Sequence, residues 1–248
     1  MLTARRPCKP ASDAALASVD FGLAVTAEDF GDAFRLVHDQ YVARGYIRPD
    51  PSGRRVGRHH ALSTTRVFIG RAEGRVVATV SVIPDSPIGL PCDDLYRAEL
   101  APMRARGEAL AEVSALAIDE AYRDVGLLVV RSLVQMIAVY ASRIADLDTL
   151  CIAVNPRHVR FYEALLRFER FGETKPYGAV SGAPAVALRL DLRRELAAAQ
   201  QAADPFAAGV LDPTRTACAE ERLQRDLGRM QLLQSARHLL AAATREVC

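Results

Sequence analysis

A carboxylate set inside an apolar strand is the first feature of this sequence that suggests chemistry. Residues 109–118 read as a strand, and alternation along it places Glu112, Ser114, Leu116 and Ile118 on one face. Burying a carboxylate is costly unless it has partners or a chemical task. Burial also raises its pKa toward neutrality, where it becomes a useful base. The same residue would suit an outward-facing position or a pair with a structural Arg.

Three further groups invite chemistry. Arg123-Asp124-Val125-Gly126-Leu127-Leu128 lies at a strand-to-helix junction, where free backbone N–H groups and a positive dipole end can receive an anion. A plain turn with a surface Arg would read the same way. Asn155-Pro156 opens a helix with an N-cap and a first-position Pro. His158 and Tyr162 follow on one face of it, and either could protonate a leaving group; equally, one is a helix-start residue and the other a core aromatic. Residues 53–60, Gly-Arg-Arg-Val-Gly-Arg-His-His, form a basic loop suited to an acidic partner or to simple solvation. The adjacent His59 and His60 lack acidic or Cys companions at ligand spacing, so no metal site is expected. Gly-rich phosphate loops and a GxSxG elbow are absent.

These residues need a scaffold, and the pattern of elements supplies one. Residues 21–26 read as a strand and 27–43 as an amphipathic helix, with Phe30, Phe34, Val37 and Tyr41 in helical spacing. Residues 65–72 and 75–83 flank Glu73-Gly74 as a hairpin. Pro84, Pro87, Gly89 and Pro91 mark a long loop, followed by short helical pieces over 93–107. Strand 109–118, helix 125–144 and strand 149–154 form a βαβ unit. A helix to about Leu166 and strands over 168–174 and 185–192 complete a mixed α/β sheet with helices on both faces. Residues 1–18 read as poorly ordered, 19–192 as the catalytic domain, and 193–248 as a C-terminal helical extension whose apolar side must dock somewhere.

Composition narrows the function classes. The 248 residues carry a net charge of +2, which disfavours a dedicated nucleic-acid binder. Charged residues interrupt the apolar runs, so no integral membrane segment is expected. Arg5, Arg6 and Lys9 are not followed by an apolar region, so no signal peptide is expected. The five scattered cysteines suit a reducing cytoplasm rather than a disulfide framework.

In this order the pieces resemble the GNAT superfamily. That resemblance assigns the turn at Arg123 and Gly126 to coenzyme A pyrophosphate, although Leu128 stands where a small residue is usual. Four segments resemble the long-chain N-acyl amino acid synthases, distant relatives of the acyl-homoserine-lactone synthases. They are Asp85-Ser86-Pro87-Ile88-Gly89-Leu90-Pro91 with Leu95-Tyr96, then residues 111–117, then 155–162, then 182–190. Ala115 stands where the lactone synthases carry Arg, and the chain has no Trp, so the amino acid branch fits better. Arg167 replaces a Gly usual before Phe168.

The resemblance implies a GNAT-like acyltransferase fold with appended C-terminal helices. It implies transfer of a long acyl group from acyl carrier protein, or acyl-CoA, to the amine of an amino acid or similar small molecule. The donor is an acyl-phosphopantetheine thioester, with no tightly bound cofactor and no metal. Glu112 would deprotonate the amine, Ser114 would orient the pair, and Tyr162 or His158 would protonate the thiolate. The donor would run along Leu116, Ala117 and Ile118, with Arg123, Gly126 and Asn155 beside it. Arg54, Arg55, Arg58, Arg104 and Arg106 would dock the carrier. Phe34, Phe68, Val82 and helix 125–144 would line an acyl tunnel. An acetyl-CoA-dependent N-acetyltransferase and a non-catalytic acyl-binding relative are the alternatives.

Overall fold

The computed structural model describes Leu16, residues 18–201 and residues 212–245. The expectation for residues 1–18 falls almost wholly outside them. The strands are β1 (Asp20–Leu23), β2 (Arg66–Ala72), β3 (Arg75–Pro84), β4 (Leu110–Ile118), β5 (Thr149–Val154), β6 (Glu169–Arg170), β7 (Lys175–Tyr177) and β8 (Ala183–Asp191). The helices are α1 (Ala27–Ala43), α2 (Asp93–Ala105), α3 (Gly126–Val139), α4 (Val159–Leu166), α5 (Leu192–Gln201) and α6 (Pro213–Arg245). The sheet runs β1-β2-β3-β4-β5-β8-β6, with β7 paired to β8. β4 and β5 are parallel; the other described pairs are antiparallel. This is the mixed α/β sheet expected from the sequence.

Local chemistry accounts for most boundaries. Thr26 caps α1: its hydroxyl accepts from Asp29 N, while Asp29 Oδ2 accepts from Thr26 N and Val25 N. Glu73 and Gly74 both have positive φ, 49° and 77°, the conformation a tight hairpin requires. Arg167 sits at φ 58° as the left-handed C-cap of α4, which explains why glycine suits this place, and its guanidinium forms an ion pair with Glu195 on α5 at 2.8 Å. The strand expected over 168–174 shrinks to Glu169–Arg170, and Lys175–Tyr177 forms a separate strand.

Two features of β4 differ from simple alternation. Its pairing with β5 covers only Leu110, Ala111 and Glu112, opposite Thr149, Leu150 and Cys151. Further on, its register with β3 shifts between Thr79 and Ser81, and Ala115 takes φ 57°. This bulge adds a residue and reverses the phase. Ala111, Val113, Leu116 and Ile118 therefore pack with α3, whereas Leu110 packs with α2, and Ala115 and Ala117 pack with α1. Glu112 lies opposite Cys151 on the α1–α2 side, so Leu116 and Ile118 do not share its face, contrary to the expectation from unbroken alternation.

The segment Glu120–Ile144 is long and apolar enough to cross a bilayer by length and composition. Between Gly126 and Ser142 only Arg131 is charged, so the expected interruption by charges fails here. The helix is instead the centre of the core, with Val129, Leu133, Met136 and Ile137 buried against the sheet.

The C-terminal extension joins that core. Ala219 and Leu223 of α6 are buried in the same cluster as α3, and Leu227 and Met230 pack against it. Asp226, 2% exposed, accepts the Leu23 N–H of β1 at 2.9 Å and pairs with Arg222, which also grips Asp20. Gly22 makes room, since a Cβ there would meet Asp226 Oδ2 at 2.6 Å. Removing the carboxylate strands a buried N–H, so Asp226→Ala is expected to lower unfolding free energy by about 1–3 kcal/mol in urea titration. Arg225→Ala, which breaks only the exposed pair with Glu221, should change it by less than about 0.5 kcal/mol.

Candidate active site

Glu112 occupies the last paired position before β4 and β5 separate, and it is 2% exposed. The Cys92 N–H donates to its Oε2 at 2.7 Å. The Cys92 thiol and the Ser114 hydroxyl stand beside the carboxylate and favour its charged form. Burial pushes its pKa up to about 7, Cys92 and Ser114 pull it down, and the charge of Asp93 pushes it up. The group therefore gains and loses a proton near neutral pH. Cys92 and Cys151 flank it, and burial together with the Glu112 charge pushes both thiols up, so they stay protonated.

A cavity of about 920 Å³ fills the gap between the strands. It takes lining residues from both sheet faces: Glu112 and Ser114 from one, Val113, Leu116 and Ile118 from the other. The opening is thus a passage through the sheet, possible because β4 has no strand partner on its β5 side beyond Glu112. Ser114 to Ile118 present backbone to this space, and the left-handed Ala115 lies among them.

On the Glu112 side the walls are aromatic and basic. Tyr41, Arg55, His60 and Tyr177 contribute, and none of them emerged individually from the sequence as a site residue except Arg55. His60 Nδ1 accepts from Gly57 N at 3.0 Å, which leaves Nε2–H to donate to Ser81 Oγ at 3.2 Å. Ser81 is the β3 partner of Ser114, so this imidazole stands beside Glu112's neighbour. Burial holds His60 below the ordinary histidine range, and it remains neutral. Its signal in the sequence was a His pair closing a basic loop. Tyr41 and Tyr177 are pushed up by burial, and Glu112 adds to this.

On the opposite side the lining is apolar, from Val130, Leu133, Val134 and Ile137 of α3, Leu150 and Ile152 of β5, and Leu166, Phe168 and Leu190 beyond. Tyr162 lines this region and is pushed up to about 12 by burial and by Tyr41, so it remains a phenol. His158 also lines the cavity. Burial and Arg157 lower its pKa, and its Nε2 accepts from Arg157 Nε at 3.0 Å. A neutral ring whose Nε2 is already accepting is a poor acid. Asn155 lines the mouth and caps the following turn through Arg157 N.

Other expected residues lie elsewhere. Arg123 is exposed and pairs with Glu120, and neither it nor Gly126 lines the cavity. Phe68 and Val82 are core residues, and Phe34 packs on His60, so none of the three lines the tunnel. Arg55 bonds Ala179 O at 2.9 Å and covers the Tyr41 ring. Arg58 is at the mouth, 3.6 Å from Asp94, and Arg54 lies over Gly31. Arg106 is exposed beside Glu108. Arg104 does not face a partner: both edges of its guanidinium are taken up by Asp85 and Asp93. Among the described residues no group of three or more His, Cys, Asp or Glu is placed to hold a metal ion.

With this geometry in view, residues 32–191 match the family described as N-acyl amino acid synthase FeeM. The solved structure of FeeM, an N-acyl amino acid synthase from uncultured soil microbes, is 32% identical over 72% of this chain and 93% of its own, with a TM-score of 0.64. The AHL synthase LasI is 21% identical over 70% of this chain and 89% of its own, TM-score 0.50. TofI, solved in a ternary complex with an inhibitor and MTA, is 15% identical over 79% and 96%, TM-score 0.53. The last two share the fold, which is GNAT-like. No curated protein matches.

The raised Glu112 pKa has a consequence for stability. Its protonated form is favoured in the folded state, so this contribution is complete below about pH 4.5 and is lost as pH rises through about 7. Glu112→Gln cannot ionise. Between pH 5 and 8 the variant should gain stability relative to the native protein, on the order of 3 kcal/mol by urea unfolding. A difference that stays constant across that range would contradict the raised pKa.

Proposed function

This chain belongs to the N-acyl amino acid synthase FeeM family, and on that premise we propose that it moves a long-chain acyl group from acyl carrier protein to the amine of an amino acid. Family membership makes it an acyltransferase acting on an amine. The finer reading rests on one observation above all: a buried carboxylate poised near neutral pH stands where the sheet opens between a polar, basic wall and an apolar one. Two unlike substrates can meet there.

The acyl chain fits the apolar side, where each buried methylene contributes about 0.8 kcal/mol. The phosphopantetheine arm would lie along Ser114 to Ile118, whose edge has no strand partner. The acceptor enters on the Glu112 side. Its ammonium gives a proton to Glu112, and the freed amine attacks the thioester carbonyl carbon. Charge on the carbonyl oxygen is met by backbone N–H groups at the β4 bulge. The C–S bond then breaks, the thiolate takes a proton from Tyr162, and the attacking nitrogen gives up its second proton, which restores the Tyr162 phenol through solvent. The products are the amide and the thiol, and Glu112 returns its proton to solvent. Ser114, beside the Glu112 carboxylate, would orient it toward the amine. Arg54, Arg55, Arg58 and Arg106 remain as candidates to meet an acidic carrier. The free cysteines suit the reducing cytoplasm in which we place the protein.

The test mixes the protein with palmitoyl-acyl carrier protein and an amino acid pool and reads N-acyl products by mass spectrometry. Product should form and should fall at least ~100-fold in Glu112→Gln. Tyr162→Phe should lower kcat by roughly 10–100-fold with little change in KM. Consumption of acetyl-CoA in place of the palmitoyl donor would move the protein to the acetyltransferases.

A further inference from the structure

We propose that Arg104, Asp85 and Asp93 form a positioning device for the active site, locking loop 85–93 so that the Cys92 backbone N–H stays against the Glu112 carboxylate. The inference rests on the reading of Glu112 as the base.

The guanidinium of Arg104 bridges two carboxylates. Nε and Nη2 reach Asp85 at 2.6 and 3.0 Å, and Nη1 and Nη2 reach Asp93 at 2.7 and 2.6 Å. This doubly bidentate arrangement fixes both ends of the loop at once. Asp85 anchors the end of β3, where its N–H also donates to Leu110 O at 2.9 Å. The Asp93 side chain, 1% exposed, reaches back to accept the Leu90 N–H at 2.6 Å. The loop can fold this tightly because residue 89 is glycine. It has φ 74°, and a Cβ there would meet Asp93 Oδ2 at 2.5 Å. Between the two anchors lies Cys92, whose N–H points at Glu112 Oε2. A three-residue chain of contacts therefore runs from Arg104 through Asp93 and Cys92 to the base.

The device also carries charge. Tyr41 from α1, Cys92 and Asp93 from the start of α2, Ser114 from β4, Cys151 from β5 and Tyr177 from β7 surround Glu112. Of these only Asp93 is an anion, and Arg104 masks it. A purely structural cluster would affect folding and overall activity at every pH alike. A positioning cluster beside a titrating base makes two opposite changes. Arg104→Gln unmasks Asp93 and disfavours ionised Glu112. Asp93→Asn keeps an amide oxygen to accept the Leu90 N–H, so the turn that aims Cys92 at Glu112 is retained while the repulsion is removed, and ionised Glu112 is favoured.

The experiment follows kcat/KM against pH for the full chain with palmitoyl-acyl carrier protein and the acceptor found above. Native protein, Arg104→Gln, Asp93→Asn and Glu112→Gln are compared, and each is checked by thermal unfolding. The limb on which activity rises with pH should move up by roughly half a unit or more in Arg104→Gln and down by a similar amount in Asp93→Asn. Limbs that stay at the native position in folded variants overturn the inference. If Arg104→Gln does not fold, Asp93→Asn alone decides, a downward shift supporting the device and no shift refuting it. Full activity in Glu112→Gln would instead remove the base itself, and so separates failure of the mechanism from failure of the device.

Discussion

Strands β4 and β5 share three register positions and then part, and nearly everything else about the site follows from where they do so. Had the ladder continued past Glu112 and Cys151, backbone hydrogen bonds would have closed the sheet and divided its two faces. Because it stops, a passage joins a basic, aromatic wall to an apolar one. The bulge at Ala115 acts in the same place. It keeps β4 paired to β3 while re-aiming Leu116 and Ile118 onto the α3 side, where the apolar wall lies. Both departures from regular β structure thus fall within four residues of the buried carboxylate.

A separation of strands inside a sheet needs support from its surroundings. α3 supplies it on one side: its nearly uncharged surface buries Val129 and Met136 under the sheet while Val130, Leu133, Val134 and Ile137 of the same helix line the cavity. α6 braces α3 from outside through Leu223 and ties itself to β1 through Asp226. On the other side, the loop after β3 and the start of α2 close over Glu112. The carboxylate is dry because this loop covers it, and its basicity follows from that dryness.

Much of this was legible in the residues. The periodic face of α1, the hairpin at Glu73-Gly74 and strand β5 declare themselves through periodicity and turn chemistry. Glu112 stood out because a carboxylate in an apolar strand demands an explanation. What alternation could not reveal was the bulge, since Ala115 carries no mark of a left-handed conformation and its phase reversal appears only in the register with β3. Arg104 looked like a surface cation because its partners, Asp85 and Asp93, are 19 and 11 residues away and meet it only in the fold. His60 was hidden for a related reason: its neighbour Ser81 lies on a strand after the loop. Arg167, standing where glycine is usual, keeps the left-handed C-cap of α4 and adds an ion pair with Glu195 that the sequence alone does not reveal.

Burial at the parting of β4 and β5 raises the pKa of Glu112 to about 7, as the proposed role of base requires. The most direct measurement is a carbon-13 NMR titration of the glutamate side-chain carboxyls, with Glu112→Gln identifying the resonance. A Glu112 carboxyl that titrates at about 7 is the expected result. A Glu112 resonance that titrates in the ordinary carboxylate range, near 4.3, would contradict it.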